Sequence, residues 1–295
     1  MNLKDVFQTK TVFSLEVFPP KSELATQKLL NSLTGIQSIK PDFISITLGA
    51  AQMDIQKTVN LATAIQEQLS IPAMAHLTGL YLSKQQAADT LSILKESQIN
   101  NILALRGDQV SNCPPVGDFK YAAELVNFIK CHGDFDIAGA CYPQKHPESS
   151  DFVADTLHLK EKVNQGASHL ITQMIFDNEA FWQFKERLQL ANINVPIEVG
   201  IMPCTNHQQI QRITALSGIQ MPKKFTNIMA RYADNKEAMR DAGIAYAIDQ
   251  IVDLVASGVD GIHLYTMNNP ENAQRIWEAT HTLFEAQNKQ LAYPL

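Results

Sequence analysis

Residues Ile71–Gly107 read IPAMAHLTGLYLSKQQAADTLSILKESQINNILALRG. The stretch opens on the apolar run IPAMAHLT, continues into QQAADTLSILKES, where apolar residues recur at helical spacing, and closes on a second apolar run, NILALRG. Short apolar runs of this kind are strands buried on both faces, and a helix between two of them returns the chain to a parallel neighbour. Working outward, matching runs are TVFSLEVF from Thr11, DFISITLG from Asp42, DIAGACY from Asp136, HLITQMIF from His169, IEVGIMP from Ile197 and GIHLYTM from Gly261, which makes eight. Their starts lie 31, 29, 30, 35, 33, 28 and 64 residues apart. A step of about 30 is one βα unit, and eight such units close a parallel barrel. The spacing therefore predicts an α/β fold, a (β/α)8 or TIM barrel, with residues 1–295 forming one domain. KLLNSLTGIQSI and YAAELVNFIK supply further helical spacing. The doubled last interval predicts an excursion between strands 7 and 8, with a helix from about Asn206 to Leu216, a Pro- and Lys-bearing stretch IQMPKKFT, and a second helix from about Asn235 to Ala256.

Composition narrows the function classes. Lys and Arg number 24 against 30 Asp and Glu, a formal charge of −6, where a nucleic-acid or anionic membrane surface calls for a basic excess. A hydrophobic content of 45% with 18% charged residues suits a large packed core and not a disordered chain. No charged-then-apolar leader opens the sequence and no apolar run reaches the ~20 residues of a membrane span, so a cytoplasmic protein is expected. Cys113, Cys131, Cys141 and Cys204 form no Cys-x-x-Cys pair and read as reduced thiols. No His-Glu-x-x-His cluster suggests a metal, and no Gly-x-Gly-x-x-Gly or Walker loop follows a strand.

In such a barrel the chemistry gathers at the C-terminal strand ends. Those ends carry Glu16, Thr47, His76, Arg106 with Asp108, Tyr142, Gln173 and Tyr265. Glu16 interrupts the apolar run FSLEVF with no cation near it in sequence, and a carboxyl drawn away from water keeps its proton for delivery near neutrality. The alternative is a glutamate salt-bridged across the barrel mouth. LALRGDQV places a cation, a glycine and an anion together, as a ligand loop or as an ion pair closing that loop. His76 alone reads as a satisfied core histidine. Gln173 offers a donor and an acceptor to a heterocycle or to a barrel-interior bond. Tyr265 reads equally as a site residue or a packing aromatic. After strand 5, CYPQKHPESSD leads into FVADTLHLKEKV, where Asp155, His158 and Lys162 share a face beside a buried stripe of Phe152, Leu159 and Val163. That face suits the sugar and phosphates of a nucleotide, or is simply solvated; Phe152 reads as core.

Taken in order, FSLEVFPP, ISITLGA, AHLT, ALRGD, YPQKHPE, LKEKVNQGA, ITQMIFD, GIMPCTN and HLYTMN closely resemble the methylenetetrahydrofolate reductase family, from about Val12 to Asn269. The resemblance implies a barrel that binds FAD non-covalently and reduces 5,10-methylenetetrahydrofolate to 5-methyltetrahydrofolate with NADH or NADPH in a ping-pong cycle, supplying methyl groups for methionine synthesis. Residue by residue, it makes Glu16 the general acid and Asp108 the carboxylate beside the flavin ring that also faces the pterin. Gln173 becomes the glutamine shared by folate and nicotinamide, Thr47 a residue near the nicotinamide, and Gln209, Tyr265 and Asn269 further substrate-side positions. The FAD positions become Leu48, Ala50, His76, Arg106, Gly107, Asp108, Ala122, Tyr142, His146, Asp155, His158 and Lys162.

Three departures accompany the match. Leu48 stands where the family commonly has an aromatic, His158 and Glu161 where an Asn and an Arg flank the FAD phosphates, and Asn269 where an Arg holds the folate tail. The resemblance also implies a homo-oligomer of the bacterial type, the barrel alone, with no room for the regulatory domain that eukaryotic members append. Two rivals stand beside it: a flavin-free folate-linked barrel enzyme, either a reductase or a methyltransferase, and a non-catalytic folate- or nucleotide-binding barrel.

Overall fold

The computed structural model describes residues 3–35, 39–48, 55–109, 114–206, 208, 210–211, 213–214 and 218–292. All eight predicted runs are strands: β1 (Val12–Val17), β2 (Phe43–Ile46), β3 (Ala73–Thr78), β4 (Asn101–Leu105), β5 (Asp136–Cys141), β6 (His169–Thr172), β7 (Ile197–Ile201) and β8 (Gly261–Tyr265). They pair in sequence order, all parallel, and β8 returns to β1 to close the barrel. The helices are α1 (Leu3–Val6), α2 (Glu23–Gly35), α3 (Ile55–Leu69), α4 (Lys84–Glu96), α5 (Ala122–His132), α6 (Phe152–Gln165), α7 (Asn178–Leu190), α8 (Lys223–Tyr232), α9 (Lys236–Ala256) and α10 (Pro270–Ala292). None of them is long and apolar enough to cross a membrane.

Local chemistry sets where the helices begin. Ser83 and Gln86 form a reciprocal capping box on α4, and the side chains of Asp151, Asp177 and Asn235 accept backbone N–H bonds at the starts of α6, α7 and α9. The large core lies between the outward faces of the strands and the helices, with Leu15, Ile44, Ala75, Ile102, Val199 and Ile262 facing residues such as Leu33, Ile65, Leu94, Ile129 and Ile251. A second apolar layer fills the barrel floor. Val12, Phe43, Met74, Leu103, Ala138 and Ile171 meet Leu3 and Val6 of α1, which plugs the N-terminal end of the strands. The other end opens to solvent and carries the site.

The excursion before β8 contains more helix than the sequence suggests. Between 208 and 214 every described residue is helical, and the expected second helix is α9, capped by Asn235. The Pro- and Lys-bearing stretch between them, to which the sequence assigned no helix, launches α8. Phe225 and Met229 of α8 pack with Met174, Phe176, Met202 and Cys204 at the ends of β6 and β7 and with Met239 of α9, so this helix builds up the barrel rim. Its partner α9 approaches so closely that a Cβ on Gly243 would stand 1.9 Å from the carbonyl oxygen of Cys204. Backbone cannot yield as a side-chain tip can. Gly243→Ala is expected to destabilise the fold by about 2 kcal/mol, read as a lower urea midpoint at unchanged slope; an unchanged midpoint would mean that α9 slides freely.

Candidate active site

A cavity of about 1200 Å³ occupies the open end of the barrel, above the range of roughly 300–1,000 Å³ that holds ordinary small ligands. Fifteen of the expected residues line it: Glu16, Thr47, Leu48, His76, Arg106, Gly107, Asp108, Ala122, Tyr142, His146, Asp155, His158, Lys162, Gln173 and Tyr265. The parallel barrel explains the convergence, because these residues lie in the C-terminal halves of strands or in the loops that follow them, apart from Ala122 on α5 and Asp155, His158 and Lys162 on α6.

Glu16 is the penultimate residue of β1, with its side chain 17% exposed. The sequence shows no cation near it, but the adjacent strand β8 and, across β2, strand β3 supply partners. His263 Nε2 on β8 lies 3.3 Å and His76 Nε2 on β3 3.6 Å from the same oxygen, Oε2. His76 is buried and also meets the Ser45 hydroxyl at 2.5 Å. Burial pushes its pKa down to about 4, outweighing the pull of the Glu16 carboxylate, so at neutral pH it is an uncharged imidazole and not half of a salt bridge. Edge-on to His263, Tyr265 donates its O–H to the Thr172 carbonyl at 2.9 Å, and burial raises the pKa of this phenol well above its ordinary value. Gln173 uses Oε1 to accept the Met174 N–H at 3.0 Å, which aims its amide along the cavity wall.

Elsewhere the lining carries the cations Lys162 and Arg106 among the acids Glu148, Asp155 and Glu161. Lys162 reaches from α6 to the end of β5 and donates to the Ala140 carbonyl, its aliphatic stem packed where Gly139 leaves room. Burial lowers its pKa although the nearby Cys141 and Asp155 pull the other way. Asp155 accepts from the His146 N–H at 3.2 Å and the Ser149 hydroxyl at 2.7 Å, pinning the loop after β5. Burial, together with the Arg106 charge, lowers the pKa of His146. Burial also pushes Tyr142 up to about 12, and its ring meets His146 edge-on at 4.6 Å between centroids. Arg106 pairs through both guanidinium nitrogens with Glu148 of that loop, 42 residues along the chain, and not with Asp108, which stands exposed at the cavity edge. Glu148 is itself 53% exposed, so this pair can open into solvent.

Not every expected residue joins the site. Ala50 and Gln209 fall outside the described residues. Asn269 is exposed and accepts the Asn272 N–H, ending the turn into α10 away from the cavity lining. Phe152, read as core, is 47% exposed, with the Arg187 guanidinium 4.5 Å above its ring. The reason is its place in the first turn of α6, where Leu159 alone of that helix is fully packed. Sequence reasoning also missed Ser14, Ser45, Glu198 and His263, which form a polar layer inside the barrel. The signal was available for Glu198, an acid in the apolar run IEVGIMP as Glu16 is in FSLEVF.

Residues 2–281 match the methylenetetrahydrofolate reductase family. The chain is 35% identical over 272 residues to the 5,10-methylenetetrahydrofolate reductase of Pectobacterium carotovorum, covering 92% of this chain and 89% of that protein. It is 34% identical to the enzyme of the same name from Escherichia coli, over 92% of this chain and 90% of that one. Methylenetetrahydrofolate reductase 1 of Schizosaccharomyces pombe matches at 31%, covering 95% of this chain but 47% of its own length. Among solved structures, an uncharacterized protein from Clostridium thermocellum, described as binding two copies of 5-methyl-5,6,7,8-tetrahydrofolic acid, superposes with a TM-score of 0.67 at 14% identity, over 97% of this chain and all of that one. At that identity the likeness speaks for the fold alone.

Proposed function

The chain belongs to the methylenetetrahydrofolate reductase family, and on that premise we propose that it reduces 5,10-methylenetetrahydrofolate to 5-methyltetrahydrofolate with NADH or NADPH and a non-covalently held FAD at the barrel mouth, serving methionine synthesis. The observation that carries this reading is Glu16, a carboxyl on the cavity wall whose Oε2 is flanked by two imidazoles while no described residue bonds Oε1. FAD, when bound, supplies the two-electron carrier that accepts hydride from the nicotinamide and returns it to the folate carbon.

The donor set on the Lys162 and Arg106 side suits such a dinucleotide. Lys162 and Arg106 offer charge to a diphosphate, and His146, His158 and Gln165 line the same side. The Arg106 fork holds a carboxylate in the two-point geometry it would present to phosphate oxygens, so Glu148 has to swing out for the phosphates to enter. Glu161, also on the lining, adds an acid on that side. The remaining roles follow from position. Glu16 protonates nitrogen 10 of the folate as the five-membered ring opens. Asp108 at the cavity edge faces the cationic carbon this creates and stabilises it electrostatically. Gln173 orients nicotinamide and pterin in turn, which leave and enter the same space in a ping-pong cycle.

The purified full chain is expected to be yellow, to bleach anaerobically on addition of NADH or NADPH, and to recover its colour on addition of methylenetetrahydrofolate. Glu161 and the Arg106–Glu148 pair favour one second reading, a flavin-free folate-linked enzyme. Colourless protein that still yields 5-methyltetrahydrofolate would establish that reading, and yellow protein that never bleaches would sink the redox role altogether.

A further inference from the structure

One acid inside the barrel is unused by this chemistry. Glu198, the second residue of β7, is fully buried, and its Oε2 has no hydrogen-bond partner among the described residues. Gly261 on the adjacent strand makes room for it, since a Cβ there would stand 2.8 Å from Glu198 Cγ. Burial raises the pKa of Glu198 well above the carboxylate range; the Ser14 hydroxyl opposes the shift and the Asp42 carboxylate adds to it. A carboxyl this deeply buried, whose one described hydrogen-bond partner is the Ser14 hydroxyl and not a cation, is held in its neutral form with an O–H to give.

From it runs a continuous chain of contacts. Glu198 Oε1 lies 2.6 Å from Ser14 Oγ, Ser14 Oγ lies 2.6 Å from His263 Nδ1, and His263 Nε2 lies 3.3 Å from Glu16 Oε2. Such a chain has two polarities. If Ser14 donates to Glu198, its single proton is spent, so His263 has to carry Nδ1–H and accept at Nε2 from Glu16. The proton of Glu198 is then stranded on Oε2, a buried donor with nothing to bond. If Glu198 donates from Oε1, Ser14 donates to Nδ1, and the imidazole presents Nε2–H to Glu16 Oε2. Only an under-used carbonyl oxygen is then left at Glu198 Oε2, which is the cheaper orphan.

We propose that Glu198, acting through Ser14, is a positioning residue that fixes His263 as its Nε2–H tautomer and keeps Glu16 Oε2 an acceptor, so that the proton Glu16 delivers to the folate leaves from Oε1. His76, uncharged and engaged with Ser45, flanks the same oxygen without reversing that polarity. The proposal rests on Glu16 being the acid, but the tautomer is read without turnover, so the two can fail separately.

The test is 15N NMR of the full chain labelled in histidine, near neutral pH, with His263 assigned from its disappearance in His263→Gln. The expected result is an unprotonated Nδ1 and a protonated Nε2; Nδ1–H or a doubly protonated ring in the native chain overturns the proposal with no variant needed. Glu198→Gln keeps an N–H donor for Ser14 and is expected to preserve the tautomer and the rate of folate reduction. Glu198→Met keeps the volume without the donor; both tautomers should appear, and folate reduction should fall about tenfold, as for loss of other outer-shell partners, while NAD(P)H-driven bleaching is kept. A Glu198→Met protein with the native tautomer and native rate overturns it as well. A native tautomer as expected, beside a Glu16→Gln variant that still reduces folate, removes Glu16 from the reaction and leaves the control of His263 standing.

Discussion

Glu16→Gln is expected to leave NAD(P)H-driven bleaching within about twofold of the native rate and to slow folate reduction by ~10²–10⁴-fold, the range of a lost general acid. The asymmetry follows from what each half-reaction asks of the residue. Hydride transfer from a nicotinamide needs no proton from the cavity wall, whereas the folate ring opens only as nitrogen 10 takes a proton while its bond to the methylene carbon breaks, leaving that carbon an electrophilic iminium on nitrogen 5. Geometry should survive the substitution. The Gln carbonyl can still accept from His263 at the Oε2 position, so the imidazoles keep their places and the barrel rim keeps its shape. Stopped-flow absorbance of the two half-reactions separates the effects. Equal losses in both would move Glu16 from acid to scaffold, and no loss in either would remove it from the mechanism.

The fold was legible in the sequence to the level of strand order because parallel strands buried on both faces leave unbroken apolar runs, and the step of about 30 residues between them is set by helix length and loop length together. The helix α8 was hidden by its own entrance. Pro222 and the exposed Lys223–Lys224 pair look like loop, yet proline is well placed at a helix start, and Phe225 and Met229 at i and i+4 are its buried face. For the site, strand-end position identified the residues that line the cavity, since a closed parallel barrel brings those ends together whatever their distance in sequence. Which of them touch was not legible. Arg106 has Asp108 two residues away but pairs with Glu148, and Glu16 meets imidazoles 60 and 247 residues distant, pairings fixed by barrel closure and not by local spacing. Glu198 was not legible as a site residue because it lies near the start of β7, away from the C-terminal strand ends, although its side chain reaches Ser14 inside the barrel beneath the site.

Lys162→Met separates the stability of the apoprotein from its hold on a dinucleotide, and the two should move in opposite directions. The lysine keeps its ammonium inside the barrel mouth against one carbonyl, Ala140, and burial lowers its pKa below 10.5. In the window between that lowered value and 10.5 the unfolded chain binds more protons than the folded one, so stability rises with pH there; below the window the charged, desolvated side chain weighs fully against folding. Methionine has nearly the same length, fills the space beside Gly139, and carries no charge to desolvate. The variant apoprotein is therefore expected to match or exceed native stability at neutral pH by up to about 1 kcal/mol, and its advantage should shrink as pH climbs through the window. FAD binding should weaken by ~10²-fold or more, the typical consequence of deleting one member of a buried charge pair. Urea unfolding of the two apoproteins across alkaline pH, with fluorescence titration by FAD, gives both quantities. Native FAD affinity in the variant would take Lys162 out of the phosphate site, while a large fall in apoprotein stability would make it a structural donor to β5, with the charge incidental to ligand binding.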